Sequence, residues 1–270
     1  MTDWGLWAEF FIRATATGFV VVFIAWSAAR LGPAIGGVLA GLPIVLAPGF
    51  FFLVRDQHPL FVSDMAAGTL FSMIATQGFL FAYLWSARTV GPLGATILAI
   101  AAWCVFAVPL SLVPHHLVLG ALIFVAATVF ARLVGKNLVL PLAPVATPTR
   151  WPALVARGVA AGILVGVVTL LSPALGPALA GALLGFPIGF CVILLSLNLD
   201  HGSTMAGRTA FAGLLGVASL ATFSGMLSAT LLVLPPWPAY LSALAASLVL
   251  TAVMTQLTRQ LALGARFRAL

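Results

Sequence analysis

Two Gly-x-Pro triplets lie inside long apolar segments of this chain, Gly41-Leu-Pro43 and Gly185-Phe-Pro187. Proline has no amide hydrogen and breaks a helix, so each triplet frees backbone N–H and C=O groups from helical partners. At membrane depth such groups are tolerated only where protein or a water-filled cavity satisfies them. The triplets therefore predict a substrate-binding site. The half-helix that follows each proline would present the positive end of its dipole to an anionic group.

The same glycines also have a purely structural interpretation. Gly37 with Gly41, and Gly181 with Gly185, are small residues four positions apart. This spacing lets two helices pack closely without any ligand. The sequence leaves both interpretations of the triplets open.

Few polar side chains accompany these triplets. Gln77 and Asn198 lie within apolar segments and could contact a substrate or hydrogen-bond a neighbouring helix. Asp56 and the pair Asp200-His201 end the two broken segments. They could act as gates or proton relays, or be solvated loop charges.

Arginines occupy equivalent places in the two halves, Arg13 and Arg157. We expect both side chains to snorkel to the membrane surface, with binding of an anion or gating as the alternative. No carboxylate lies near the middle of a predicted span, so the acid typical of proton- or sodium-coupled carriers is missing.

Composition decides the class of protein. Of the 270 residues, 63% are hydrophobic and only 6% are charged, whereas soluble domains are about one-quarter charged. Long apolar runs that contain Gly and Pro favour helices over the short alternating segments of a membrane β-barrel. The sequence predicts an all-α, polytopic membrane protein, and we expect it in a bacterial inner membrane.

An internal repeat organises the helices. The segment Leu31–Ile44 returns 144 positions later as Leu175–Ile188, with nine of fourteen residues identical. Matching of Met65 with Met205 extends the repeat, at an offset of 140. We predict one transmembrane domain over 1–270, with repeat one at 13–112, a linker helix and loop at 113–156, and repeat two at 157–261. Polar loops are predicted at 55–64 and around Asp200.

Nine spans result from two four-helix repeats and the linker helix. Five spans separate equivalent helices, and this odd number inverts the second copy. Basic side chains favour the cytoplasmic side. Their distribution places the N-terminus outside and the C-terminus in the cytoplasm: one side carries Arg13 and Arg55, and the other carries Arg30, Arg88, Arg132, Lys136, Arg150, Arg157, Arg208, Arg259, Arg266 and Arg268.

The predicted function is secondary transport of a small solute, with a preference for one that carries an anionic group. The architecture resembles that of inverted-repeat carriers, whose sites lie where broken helices meet at mid-membrane. No catalytic motif such as HExxH, GxSxG or a P-loop is present, so we expect no enzyme, and we expect no cofactor and no metal site. The partners are the lipid bilayer and a small-molecule or lipid substrate, with no nucleic acid; homo-oligomerisation stays open.

Two alternatives stand beside transport of a solute. One is a flippase for lipid or a polyprenyl carrier, and the other is a structural or assembly subunit of the membrane. A polar groove that opens sideways to lipid would favour the flippase. An enclosed cavity at mid-membrane would favour the solute carrier, and the absence of any cavity would favour the structural subunit.

Overall fold

The computed structural model describes residues 3–29, 42–139 and 151–267. Gly37 and Gly41 lie outside these ranges. All regular elements in the described ranges are helical: α1 Asp3–Ala29, α2 Leu46–Asp56, α3 Pro59–Ser86, α4 Pro92–Ser111, α5 Leu117–Gly135 with a short 3₁₀ turn Lys136–Leu138 after it, α6 Trp151–Leu184, α7 Ile188–Thr230 and α8 Pro236–Phe267.

Two glycines divide the longest helices into arms. Gly176 in α6 and Gly202 in α7 have φ of 73° and 81°. Glycine adopts this left-handed conformation without the steric cost that a Cβ brings. Pro177 then begins the next arm, at the first helical position, where its missing N–H costs nothing. The arms of α6 are 151–175 and 177–184, and those of α7 are 188–201 and 203–230.

The polar loops predicted at 55–64 and around Asp200 are wrong. α3 already begins at Pro59, since the backbone N–H of Leu60 donates to the ring of His58 across 3.3 Å and so caps the helix. Near Asp200 the chain passes from one arm of α7 to the next through the kink at Gly202 alone. Polar residues at both places are helix ends, not loops.

Five segments within the described ranges are long and apolar enough to cross a membrane: Pro59–Ser86, Pro92–Ser111, Leu117–Leu138, Gly158–Thr230 and Pro236–Leu257. The segment Gly158–Thr230 has 73 residues, and a straight helix of that length would extend about 110 Å. A hydrocarbon core is about 30 Å thick, so this segment must fold back between its arms. The described part of the chain is thus helical, with five segments that by length and composition could span a membrane.

α3 lies at the centre of the bundle. In the most apolar stretch of α3, 83% of the residues are buried. The corresponding fraction is 28% in α4 and 22% in α5 and α8, because these three helices place apolar side chains on the outside of the bundle. The 203–230 arm of α7 runs antiparallel beside α3. Ser63 donates to the carbonyl of Ser228 at one end of this contact (2.8 Å), and Gln77 donates to the carbonyl of Leu214 further along (3.0 Å).

Close backbone contact joins α1 to the 151–175 arm. A Cβ on Gly162 would lie 2.3 Å from the carbonyl oxygen of Ala14, and one on Gly18 would lie 3.1 Å from that of Gly158. Lipid tails are as apolar as leucine, so membrane helices associate through such close packing and through hydrogen bonds. Small residues therefore determine where these two helices meet.

Candidate functional site

The first break lies between residues 42 and 45, directly before α2. Its three-residue turn is centred on Pro43, because the backbone N–H of Ile44 donates to the carbonyl of Leu42 across 2.6 Å. The carbonyl of Pro43 then accepts from the N–H of Ala47 (2.7 Å), which is the first helical bond of α2.

The second break repeats this geometry residue by residue, 144 positions later. The N–H of Ile188 donates to the carbonyl of Phe186 across 2.8 Å, so the turn is centred on Pro187, whose φ and ψ are −78° and 48°. The carbonyl of Pro187 accepts from the N–H of Cys191 (3.0 Å), at the start of α7. The sequence repeat is therefore also a repeat of backbone conformation.

Both breaks line one cavity of about 40 Å³. Leu42 and Ile44 contribute from the first break, Gly185 and Pro187 from the second, and Thr76 from α3. Sites for small molecules measure about 300 to 1,000 Å³, so this cavity is far smaller than a typical ligand site.

The first turns of two helices reach the same cavity. Leu46, where α2 begins, and Gly189, in the first turn of α7, are both among its lining residues. The first N–H groups of a helix have no partner within the helix, and they carry a partial positive charge. Two helix N-termini therefore border the cavity.

Hydroxyl groups of α3 donate to backbone carbonyls just before the second break, and the carbonyl of Gly181 also accepts from the N–H of Gly185 (3.0 Å). Thr69 donates to the carbonyl of Gly181 (3.0 Å), and Ser72 donates to that of Ala182 (3.1 Å). These two residues were not among those predicted from the sequence. The signal that could have found them is the spacing of Thr69, Ser72 and Thr76, which places three hydroxyls on one face of a helix.

Gly185 is packed directly against this hydroxyl face. A Cβ on Gly185 would lie 2.5 Å from Oγ of Ser72, and one on Gly181 would lie 2.3 Å from the carbonyl oxygen of Met65. Gly181 and Gly185 thus make the close helix contact that was their structural interpretation. Gly185 also borders the cavity, so the two interpretations are compatible for this residue.

Gln77 does not line this cavity; it hydrogen-bonds two other helices. Its side chain is buried, and Nε2 donates to Oγ1 of Thr128 on α5 (2.7 Å) and to the carbonyl of Leu214 on α7 (3.0 Å). Oε1 of Gln77 has no hydrogen-bond partner. Gln77 was predicted either to contact a substrate or to hydrogen-bond a neighbouring helix, and these bonds correspond to the second role.

Asn198 lies apart from the cavity as well. Its Nδ2 donates to the hydroxyl of Tyr83 (3.0 Å), and that hydroxyl donates to the carbonyl of Leu194 (2.9 Å). These bonds join the 188–201 arm of α7 to α3 within the buried interior.

Asp56 forms an ion pair between helices at the end of α2. Its carboxylate accepts from Arg13 of α1 (2.6 Å) and from its neighbour Arg55 (2.5 and 3.0 Å). Arg13 also pairs with Glu9 (2.7 Å), and its guanidinium lies over the ring of Phe52, 5.3 Å from the ring centre. Arg13 is only 4% exposed, so the expectation that it snorkels is wrong: it pairs within the protein.

Asp200 and His201 are the last residues before the kink at Gly202, and both are partly exposed. The repeat offset relates Asp200 to Asp56 and Arg157 to Arg13, but the side chain of Arg157 lies outside the described residues.

A second, larger cavity of about 460 Å³ adjoins the first break. Pro43 lines this cavity, and Leu42 and Ile44 line both cavities. Its other walls come from α1, α2 and α8.

Comparison of the chain with protein-family models, with curated proteins and with solved structures finds no match.

Proposed function

We propose that the chain is a secondary transporter of a small solute that works by alternating access. Nine spans would form two inverted four-helix repeats around the linker helix. The observation that carries this proposal is the convergence on one cavity of two backbone breaks that share the same pair of hydrogen bonds. Broken helices that meet at an interface between inverted repeats are typical of secondary transporters.

Reciprocal contacts between the first helices of the two repeats support the inversion. Ala14 lies against Gly162, and Gly18 lies against Gly158. At the repeat offset of 144, Ala14 is equivalent to Gly158, and Gly18 is equivalent to Gly162. If the two copies are exchanged, the contact of Ala14 with Gly162 therefore becomes the contact of Gly158 with Gly18. Contacts exchange in this way across a two-fold axis.

A second reciprocal pair supports the same axis deeper in the bundle. Phe50 packs against Phe223 with ring centres 5.8 Å apart, and Tyr83 donates to the carbonyl of Leu194. The offset of 144 relates Phe50 to Leu194, and the offset of 140 relates Tyr83 to Phe223. The two contacts exchange when the repeats exchange, as those of α1 do.

In this conformation the breaks are too close together to hold a solute, so transport requires them to separate. The ion pair of Arg13 with Asp56 joins α1 to α2 and would act as a gate on one side. Arg157 and Asp200 hold the equivalent sequence positions, and they would form the gate on the opposite side. A preference for anionic substrates follows from the two helix N-termini at the cavity.

Transport assays on proteoliposomes test the proposal. The purified chain is reconstituted, and uptake of phosphate, monocarboxylates and dicarboxylates is compared with uptake of cations and neutral analogues of similar size. Anions should outcompete the others. No preference for anions would remove that part of the proposal.

Variants of the breaks test the site itself. Pro43→Ala, Pro187→Ala and Gly185→Ala should lower transport more than they lower expression or thermal stability. Gly225→Ala is the matched control, because a Cβ there meets only ordinary contacts of 3.7 and 3.8 Å. If the three variants transport as well as Gly225→Ala does, the breaks are not the site.

A lipid flippase is the second candidate function, because the larger cavity opens sideways where Phe51 and Leu248 are exposed on the outside of the bundle. The walls of the cavity are apolar, so it meets the expectation of an opening toward lipid but not the expectation of a polar groove. Translocation of fluorescent phospholipid or polyprenyl phosphate in the same proteoliposomes would support the flippase. A chain that moves neither solute nor lipid while it stays folded would instead be a structural or assembly subunit.

A further inference from the structure

We propose that the 460 Å³ cavity holds one acyl chain of a membrane phospholipid and that the phosphate of this lipid lies at Arg55. The proposal goes beyond transport, because it holds whether or not the bound lipid is moved across the membrane.

The walls of the cavity offer an environment suited to hydrocarbon. Ala16, Pro43, Phe52 and Leu244 belong to its lining, which has almost no polar surface. Its polar residue, Tyr240, donates its hydroxyl to the carbonyl of Ala47 across 3.1 Å, so that group is already used. Apolar cavities of this kind stay free of water.

The size of the cavity matches a substantial ligand. Sites for small molecules and cofactors measure about 300 to 1,000 Å³, and this cavity lies within that range. A void of this size would leave its walls without van der Waals partners on one side. A flexible hydrocarbon chain restores those contacts without the burial of any polar group.

The mouth of the cavity faces lipid. Leu248 is 47% exposed, and it belongs to α8, one of the segments long and apolar enough to cross the membrane. Phe51 on α2, also in the lining, is 41% exposed and packs against Trp237 of α8, with ring centres 5.3 Å apart. In a bilayer, the acyl chains of lipids would surround these exposed side chains.

Arg55 provides the place for the headgroup. Residues four apart lie on one helix face, so Arg55 is one turn beyond Phe51 on the same side of α2. The Arg55 side chain is 44% exposed, and its guanidinium lies 5.5 Å from the centre of the Phe52 ring in the cavity wall. The Arg55 guanidinium also donates to Asp56, so a phosphate oxygen would share this guanidinium with the Asp56 carboxylate. The geometry therefore places a partly exposed guanidinium one helical turn beyond an apolar cavity, as a phospholipid requires.

Occupancy would also bear on the first break. Leu42 and Ile44 separate the two cavities, since each lines both. An acyl chain in the larger cavity would contact the turn at Pro43 from the side opposite to the second break. Lipid binding would thus stabilise the conformation of the first break described above.

Photocrosslinking tests the proposal. The full chain is reconstituted with phosphatidylglycerol that carries a diazirine near the end of one acyl chain, and labelled peptides are mapped by mass spectrometry. Label should concentrate on the peptides that contain Ala47 to Phe52 and Tyr240 to Leu248. Label spread evenly over the exposed faces of α4 and α5 would overturn the proposal.

Two leucines of α8 provide a matched pair of variants. Leu248→Trp places a large ring in the mouth, and we expect labelling of the cavity to fall about tenfold, the equivalent of 1.4 kcal/mol in affinity. Leu241→Trp makes the same change at a position that is 60% exposed and is not among the lining residues, so labelling should stay unchanged. Equal labelling of the two variants would show that no chain enters the cavity.

A charge reversal tests the headgroup. Arg55→Glu should lower labelling by repulsion of the phosphate, while leaving the cavity intact. Full labelling of Arg55→Glu would overturn the assignment of the phosphate to this residue.

Discussion

Arg13 of α1 donates to the carboxylate of Asp56 at the end of α2 across 2.6 Å, although the two residues are 43 positions apart in the chain. Arg13 is almost fully buried, and its Nε has no hydrogen-bond partner in the structure. A buried guanidinium that loses its carboxylate partner remains as an uncompensated charge. The pair therefore makes the position of α2 relative to α1 depend on both side chains.

Asp56→Asn should lower the free energy of unfolding by about 1 to 3 kcal/mol, because it leaves Arg13 with Glu9 as its remaining carboxylate partner. Denaturation in mixed micelles measures this change. Arg55→Gln is the control, since Arg55 binds the same carboxylate but is 44% exposed. We expect a cost of at most about 1 kcal/mol there.

A double-mutant cycle with Arg13→Gln separates the pair from other effects. The combined variant should recover part of the stability that either single variant loses, since it removes both charges. Strict additivity would mean that the two side chains do not interact in the membrane.

Gly162→Ala should destabilise the contact between α1 and α6 by about 1 to 3 kcal/mol, because its Cβ would meet the backbone of Ala14 at 2.3 Å and backbone cannot rotate away. Gly5→Ala on α1 is the matched control. A Cβ there meets nothing within 4 Å, so this variant should be neutral or slightly stabilising. Thermal unfolding followed by tryptophan fluorescence compares the two, and equal melting temperatures would contradict the close contact.

Gln77→Leu separates a structural role from contact with substrate. It removes two hydrogen bonds and also an unpartnered Oε1. Hydrogen bonds between membrane helices contribute about 0.6 kcal/mol each on average, so we expect a loss of about 1 kcal/mol or less in stability. Uptake by proteoliposomes should stay close to that of the unmodified chain. A large fall in transport at unchanged stability would instead assign Gln77 to the substrate site.

The breaks at Pro43 and Pro187 could be predicted because their cause is local. Proline removes a donor wherever it stands in a helix, and its recurrence at a fixed offset was visible in the sequence. Composition likewise predicted membrane-spanning helices, and this prediction is confirmed. The loop expected at 55–64 was wrong because polar residues were interpreted as a loop, whereas Pro59 among them favours the first position of a helix.

The partners of polar side chains could not be predicted, because they depend on which helices become neighbours. Nothing local relates Arg13 to Asp56, or Thr69 to the carbonyl of Gly181, 112 positions away. The bond of Arg13 to Asp56 pairs a charge that would be costly to bury alone. Such pairs form only when two helices are aligned so that the two residues lie at the same height. The apolar sequence of a membrane helix specifies this alignment only weakly.

The stability of the fold should fall in acid because of His115, which lies between α4 and α5. Its ring packs edge-on against Phe71, with centres 4.8 Å apart, and its Nε2 has no hydrogen-bond partner. Burial lowers the pKa of His115, while the Leu110 carbonyl and the charge of Asp64 oppose this shift more weakly. The folded state therefore favours the neutral ring.

The sign of the pH dependence follows from this lowered pKa. The contribution of His115 is fully present above the unfolded-state value of about 6.5, and it is lost as the pH falls from there through the folded pKa, because the unfolded chain binds the proton more readily. Unfolding measured between about pH 8 and pH 5 should show this loss. His115→Phe should flatten the curve, whereas His116→Phe, at an exposed neighbouring position, should leave it unchanged. A curve that His115→Phe does not flatten would mean that other groups govern the acid response.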